Sequence, residues 1–85
     1  MNYTIHYDKN VLREIKRMEQ KGAYRIWLAI DTLSNEPRPI YGMKLKGKEN
    51  EYRIRVGDYR VLYAINNIDR KIIITHIKHR KDAYR

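Results

Sequence analysis

Arg53, Arg55 and Arg60 fall within twelve residues, YRIRVGDYRVLY (52–63), on either side of a Gly57-Asp58 pair. A guanidinium is a permanent cation whose planar fork of N–H donors suits phosphate oxygens and whose flat face stacks on bases. Gly57-Asp58 fits a two-residue turn with Gly at the first central position, a type II′ hairpin. The register then follows by counting: Val56 faces Tyr59, Arg55 faces Arg60, Ile54 faces Val61 and Arg53 faces Leu62. Directly paired residues point to the same side of a sheet. Tyr52, Ile54, Val56, Tyr59, Val61 and Tyr63 therefore share a face apolar enough to receive helices, and the three arginines share the other. Arg55 opposite Arg60 is an unfavourable like-charge pair unless an anion sits between them. Pairing with Glu49, Glu51 or Asp58 is the plainer alternative, but local violations of folding rules gather at functional sites, and three arginines on one face favour an anion site.

The segment IKHRKDAYR (77–85) extends the basic character. In an extended continuation Lys78 and Arg80 share a face, Tyr84 offers an aromatic platform for an unpaired base, and Lys81 and Arg85 read as a basic tail. Lys44 and Lys46, in KLKG (44–47), precede the arginine strand and suit contacts to a phosphate backbone. His6, His76 and His79 lack metal-ligand spacing, and His76 and His79, three apart on a strand, are expected on opposite faces. The chain shows no carboxylate pair, Ser-His-Asp set or glycine-rich phosphate loop. No metal or cofactor is expected.

The charge of the whole chain agrees with a polyanionic partner. Its 85 residues carry a net charge of +9. Seven basic and five acidic residues lie in 1–43, against twelve and five in 44–85. Such a one-sided field points first to nucleic acid. The length fits a single domain over residues 1–85. The absence of Cys fits a reducing cytosol, MNYTIHYDKN lacks the apolar core of a secretory signal, and no apolar run reaches the length of a membrane span. A cytoplasmic domain without membrane association is expected.

The elements that must position these residues are legible in the periodicities. YTIHY (3–7) alternates as a strand, with Asp8 as the expected N-cap of a helix carrying Val11, Leu12, Ile15 and Met18 on one side. Gly22 is expected to end that helix. A second, from about Ala23, places Ala23, Ile26, Trp27, Ile30 and Leu33 in one stripe, and SNEPRP (34–39) stops it. Strands follow around 43–45 and at 51–56, 59–65 and 71–77, the last two joined by NNIDR (66–70). The order β-α-α-β-β-β, with the short segment around 43–45 as an addition, predicts an α+β domain, a small twisted, mostly antiparallel sheet with a two-helix hairpin packed on one face.

In this order, KLKG, YRIRVGDYRVLY and IKHRKDAYR resemble the RelE/ParE superfamily of toxins from type II toxin–antitoxin systems, and most of all its RelE-like branch. The resemblance covers essentially the whole chain. It implies the RelE-like microbial RNase fold and a ribosome-dependent mRNA interferase: an endoribonuclease that cleaves mRNA in the ribosomal A site by attack of the ribose 2′-OH, without a metal, and so inhibits translation. It implies catalytic roles for Arg53, Arg55, Arg60, Arg80 and Tyr84, with Lys44, Lys46, Lys78, His79 and Lys81 around the RNA. Where the family often has Lys, this chain has Arg53 and Arg55, good phosphate clamps but poor proton carriers with a pKa above about 12. Tyr84, Lys78 or His79 would then move the protons, His79 having the most suitable ordinary pKa. The resemblance also implies a cognate antitoxin with an acidic or amphipathic segment wrapping the helices, and a free toxin that is monomeric. ParE-like relatives, which inhibit DNA gyrase, and catalytically inactive homologues are the alternatives.

Overall fold

A computed structural model describes residues 2–39, 42–45, 47 and 50–79 of the chain. Strand β1 (Thr4–Tyr7) leads into helix α1 (Lys9–Arg17) and helix α2 (Gln20–Leu33). Strands β2 (Met43–Lys44), β3 (Glu51–Val56), β4 (Tyr59–Asn66) and β5 (Lys71–His79) follow. They form one five-stranded sheet in the order β1-β5-β4-β3-β2. β1 runs parallel to β5, and every other neighbouring pair is antiparallel. This is the α+β architecture expected from the periodicities.

Both helices lie on one face. Val11 and Ile15 of α1, with Ile26, Ile30 and Leu33 of α2, bury against Ile54, Val61, Tyr63, Ile65, Ile72 and Ile74 of the sheet. Burial of this apolar surface is what holds the helices down, at about 25 cal/mol per Å2 removed from water. Tyr63 is the one buried side chain of this core with a polar end, and its hydroxyl donates to the Pro37 carbonyl at 2.8 Å.

Three local features differ from the expectation. Gly22 does not end the first helix; α1 stops at Arg17, where Met18 and Glu19 turn extended (ψ 155° and 137°), and Gly22 lies in the first turn of α2. The break comes from the extended backbone at Met18 and Glu19, not from the glycine, where a Cβ would make only an ordinary contact with Tyr59 Cε2 at 3.4 Å. Asp8 occupies the N-cap of α1 without a side-chain cap bond; its main-chain carbonyl accepts from Val11 N–H at 3.0 Å. The third concerns β5. Leu62 pairs with His76 but Tyr63 pairs with Ile74, so Thr75 is an extra residue in a β-bulge. The sequence forces it: Ile72 and Ile74 are in phase with the core, and Ile77, opposite Val61, is one residue out of step. Without the bulge, His76 and Lys78 would enter the core and Ile77 would leave it.

Candidate functional site

The β3–β4 hairpin has the register its sequence predicts, with Arg53↔Leu62, Arg55↔Arg60 and Val56↔Tyr59. Gly57 has φ +59° and Asp58 is not among the described residues of positive φ, as a type II′ turn requires. The pairing sends Ile54, Val61 and Tyr63 to the helices. Arg53, Arg55 and Arg60 go to the other face.

Two rows of residues cross that face. In one, Met43, Arg53, Leu62 and His76 stand side by side on β2, β3, β4 and β5. In the next, Arg55, Arg60 and Lys78 stand side by side on β3, β4 and β5. A groove of about 290 Å3 is lined by Met43, Ile54 and the three arginines. Arg53 and Arg60 are half-buried, while Arg55 and Lys78 are exposed. Arg53 Nη2 reaches to 3.7 Å from the Met43 sulfur, which fixes one wall of the groove. Among the described residues neither Glu51 nor Asp58 forms an ion pair with Arg53 or Arg55; Glu49 lies outside the described residues. The groove therefore concentrates positive charge, and its dimensions admit a phosphodiester group.

Other expected contacts go elsewhere. Lys44 pairs with Tyr52 and His79 with Tyr59, so both stand on the helix side, opposite the arginines. Strand alternation puts them there, since Met43 and Lys78 hold the adjacent positions on the arginine face. The His79 ring packs edge-on against Tyr59, with centroids 4.9 Å apart. Lys46, Arg80, Lys81 and Tyr84 lie outside the described residues. Sequence reasoning passed over two members of the arginine face, Met43 and His76. The signal for His76 was present in the phase slip of Ile72, Ile74 and Ile77.

Arg38 shows the contrasting fate of an arginine with a structural job. Its Nε donates to Tyr52 Oη at 3.1 Å and its Nη2 to Asn67 Oδ1 at 3.0 Å, where Tyr3 Oη also donates at 3.0 Å. The bond to the Tyr52 hydroxyl holds this guanidinium above its ordinary pKa. The cluster ties the segment after α2 to β3 and to the β4–β5 turn.

Comparison with known proteins agrees with this architecture. The family described as "ParE toxin of type II toxin-antitoxin system, parDE" matches residues 5–84. Toxin RelE3 of Methanocaldococcus jannaschii is 32% identical over 84 residues, covering 94% of this chain and 93% of that protein. The archaeal RelE–RelB complex from Pyrococcus horikoshii contains a chain of TM-score 0.85 and 33% identity, with 94% of this chain and 97% of that one covered. The RelB–RelE antitoxin–toxin complex from Methanococcus jannaschii gives TM-score 0.76 and 30% identity, with 93% and 94% covered.

Proposed function

The chain belongs to the ParE toxin family of type II toxin–antitoxin systems, and from that membership and its arginine groove we propose that it is a RelE-type toxin that cleaves mRNA in the ribosomal A site. The observation that carries this reading is the Arg55↔Arg60 pair beside Arg53 in one groove. Two guanidiniums opposed across a hairpin repel each other; a phosphate between them turns that cost into binding. In the reaction the ribose 2′-oxygen attacks the adjacent phosphorus and the bond to the 5′-oxygen breaks, leaving a 2′,3′-cyclic phosphate and a 5′-hydroxyl. The nucleophile belongs to the substrate, so no metal-bound water is required. Charge accumulates on the non-bridging oxygens, and preorganised donors stabilise it more than they stabilise the ground state. Arg55 and Arg60 supply those donors and Arg53 holds the neighbouring phosphate. Arg80 and Tyr84 complete the site by the family resemblance, Tyr84 stacking on the nucleotide at the cut.

The partner is a cognate antitoxin. Relatives of the same fold occur in RelE–RelB complexes, and this chain leaves Tyr24, Trp27 and Leu28 on α2 64%, 40% and 50% exposed. Residues spaced in this way on a helix suit the apolar side of an amphipathic segment. Among the described residues no helix is long and apolar enough to cross a membrane; the site of action is the cytoplasm, where ribosomes are.

The test is primer extension on an mRNA positioned in the A site of programmed ribosomes, with the same mRNA free beside it. Cleavage only on ribosomes, lost in Arg60→Ala, is expected. Cleavage of both would make the chain a free ribonuclease. Cleavage of neither, with inhibition of gyrase supercoiling, would place it in the ParE-like branch.

A further inference from the structure

The groove's cations are arginines, so it contains no group that exchanges protons near neutrality. We infer that His76 is the base of the reaction: its Nε2 takes the proton from the ribose 2′-OH. This rests on the reading of the chain as an mRNA interferase.

Three observations converge on His76. The first is place. His76 pairs with Leu62, which pairs with Arg53, so imidazole and guanidinium flank the same row with one strand between them. Two strand spacings are about 10 Å, a gap that the two side chains close upon a single ribose-phosphate. Arg60 is the diagonal cross-strand neighbour of His76, roughly 7–8 Å away. His6, the other histidine on this face, pairs with Ile73 and stands on β1, beyond the groove.

The second is the bulge. Thr75 is the extra residue that turns His76 and Lys78 to the arginine face. A bulge disrupts the ladder and is a recurrent means of re-aiming a side chain beside a reactive site.

The third is the direction of the hydrogen bonds. Thr75 Oγ1 donates its single proton to the Leu62 carbonyl at 3.2 Å. It therefore has only lone pairs to offer His76 Nδ1, which lies 3.2 Å away. With the hydroxyl proton on that carbonyl, Nδ1 carries the proton of the neutral ring and Nε2 keeps the free lone pair. The relay from His76 to Thr75 to the Leu62 carbonyl selects the tautomer that accepts a proton at Nε2.

The step balances. As the 2′-O–P bond forms, the 2′-OH proton passes to Nε2 and the ring becomes imidazolium. The P–5′-O bond breaks, and the 5′-oxygen takes a proton from water. The imidazolium then returns its proton to solvent. The charged or titratable groups around His76 are Lys78 on its own strand, Arg60 and Arg53 on the β4 side, and His6 and Asp8 on the β1 side, where Asp8 N–H bonds the Ile74 carbonyl.

Single-turnover cleavage of A-site mRNA across pH 5.5–9 tests this, with the wild-type chain, His76→Gln and, as a same-face control, His6→Gln. Thermal unfolding of each variant is recorded alongside. The expected result is a loss of about 100-fold or more for His76→Gln, with disappearance of the limb on which rate rises with pH, and a wild-type profile for His6→Gln. A wild-type rate in His76→Gln, or a reduced rate with the wild-type pH limb intact, overturns the assignment while leaving the mRNA interferase reading in place. Failure of the wild-type chain to cut on ribosomes overturns both.

Discussion

Arg55 and Arg60 stand directly opposite each other on the arginine face, two residues apart from the turn on each strand, and neither Glu51 nor Asp58 pairs with Arg55 among the described residues. Like charges directly opposite each other on a sheet are unfavourable, and an anion bound between them relieves that cost. Arg55→Thr, a good strand former, is therefore expected to leave the free chain as stable or more stable by a few tenths of a kcal/mol at low salt. The same change should slow A-site cleavage at least tenfold. Urea unfolding and single-turnover kinetics on one preparation check the two opposite signs together.

The groove should report itself through salt. Each single-stranded phosphate neutralised adds about −0.7 to the slope of log affinity against log salt. Binding of a short, 2′-deoxy-blocked RNA should be strongly salt-dependent, and Arg53→Ala should flatten the slope by about one such contact. Fluorescence anisotropy over a salt series measures it. An unchanged slope would place Arg53 outside the phosphate path.

Gly57 sits at φ +59° in the turn that sets the hairpin register. An L side chain in that region costs roughly 1–2 kcal/mol. Gly57→Ala is expected to lower stability by about that amount in chemical denaturation and to lower cleavage, because the turn aligns Arg55 with Arg60.

Thr75 acts through His76, so its substitutions should separate by chemistry. Thr75→Ser preserves the hydroxyl and should keep the pH–rate profile. Thr75→Val removes the acceptor for Nδ1–H and should reduce cleavage several-fold while displacing the rising limb of the profile. A purely structural bulge residue would alter the unfolding midpoint and leave the limb where it was.

The core has a conventional expectation. Ile74, fully buried where β5 meets the helices, should cost about 2–5 kcal/mol when cut to Ala. Loss of stability without a change in the pH profile of the remaining activity is the outcome that separates this residue from the arginine face.

The hairpin was legible in YRIRVGDYRVLY because Gly57 and strict alternation leave a single register that buries Ile54, Val61 and Tyr63. The two helices were legible from their apolar spacing, but their junction was not, since Gly22 reads as a helix stop while the break is made by the extended backbone at Met18 and Glu19. Nor did periodicity reveal that β1 joins the sheet beside β5, a pairing between the first and last described strands. The arginine cluster came from residue type and counting. The places of Lys44 and His79 did not, because a lysine or histidine next to a cationic strand carries no mark of its side until register is known. His76 was visible as a histidine and invisible as a member of the site, for want of the bulge.

The partnership of β1 with β5 bears on how the toxin is born. Thr4–Tyr7 has no strand neighbour until Lys71–Ile74 has been made. At about 5–20 residues per second, that delay is roughly 3–13 s of synthesis. The arginine hairpin, Glu51–Asn66, is itself finished only just before β5, so the arginine face and the closed sheet are completed together at the end of synthesis. An antitoxin binding this chain during synthesis would therefore meet a sheet whose first strand is still waiting for its last.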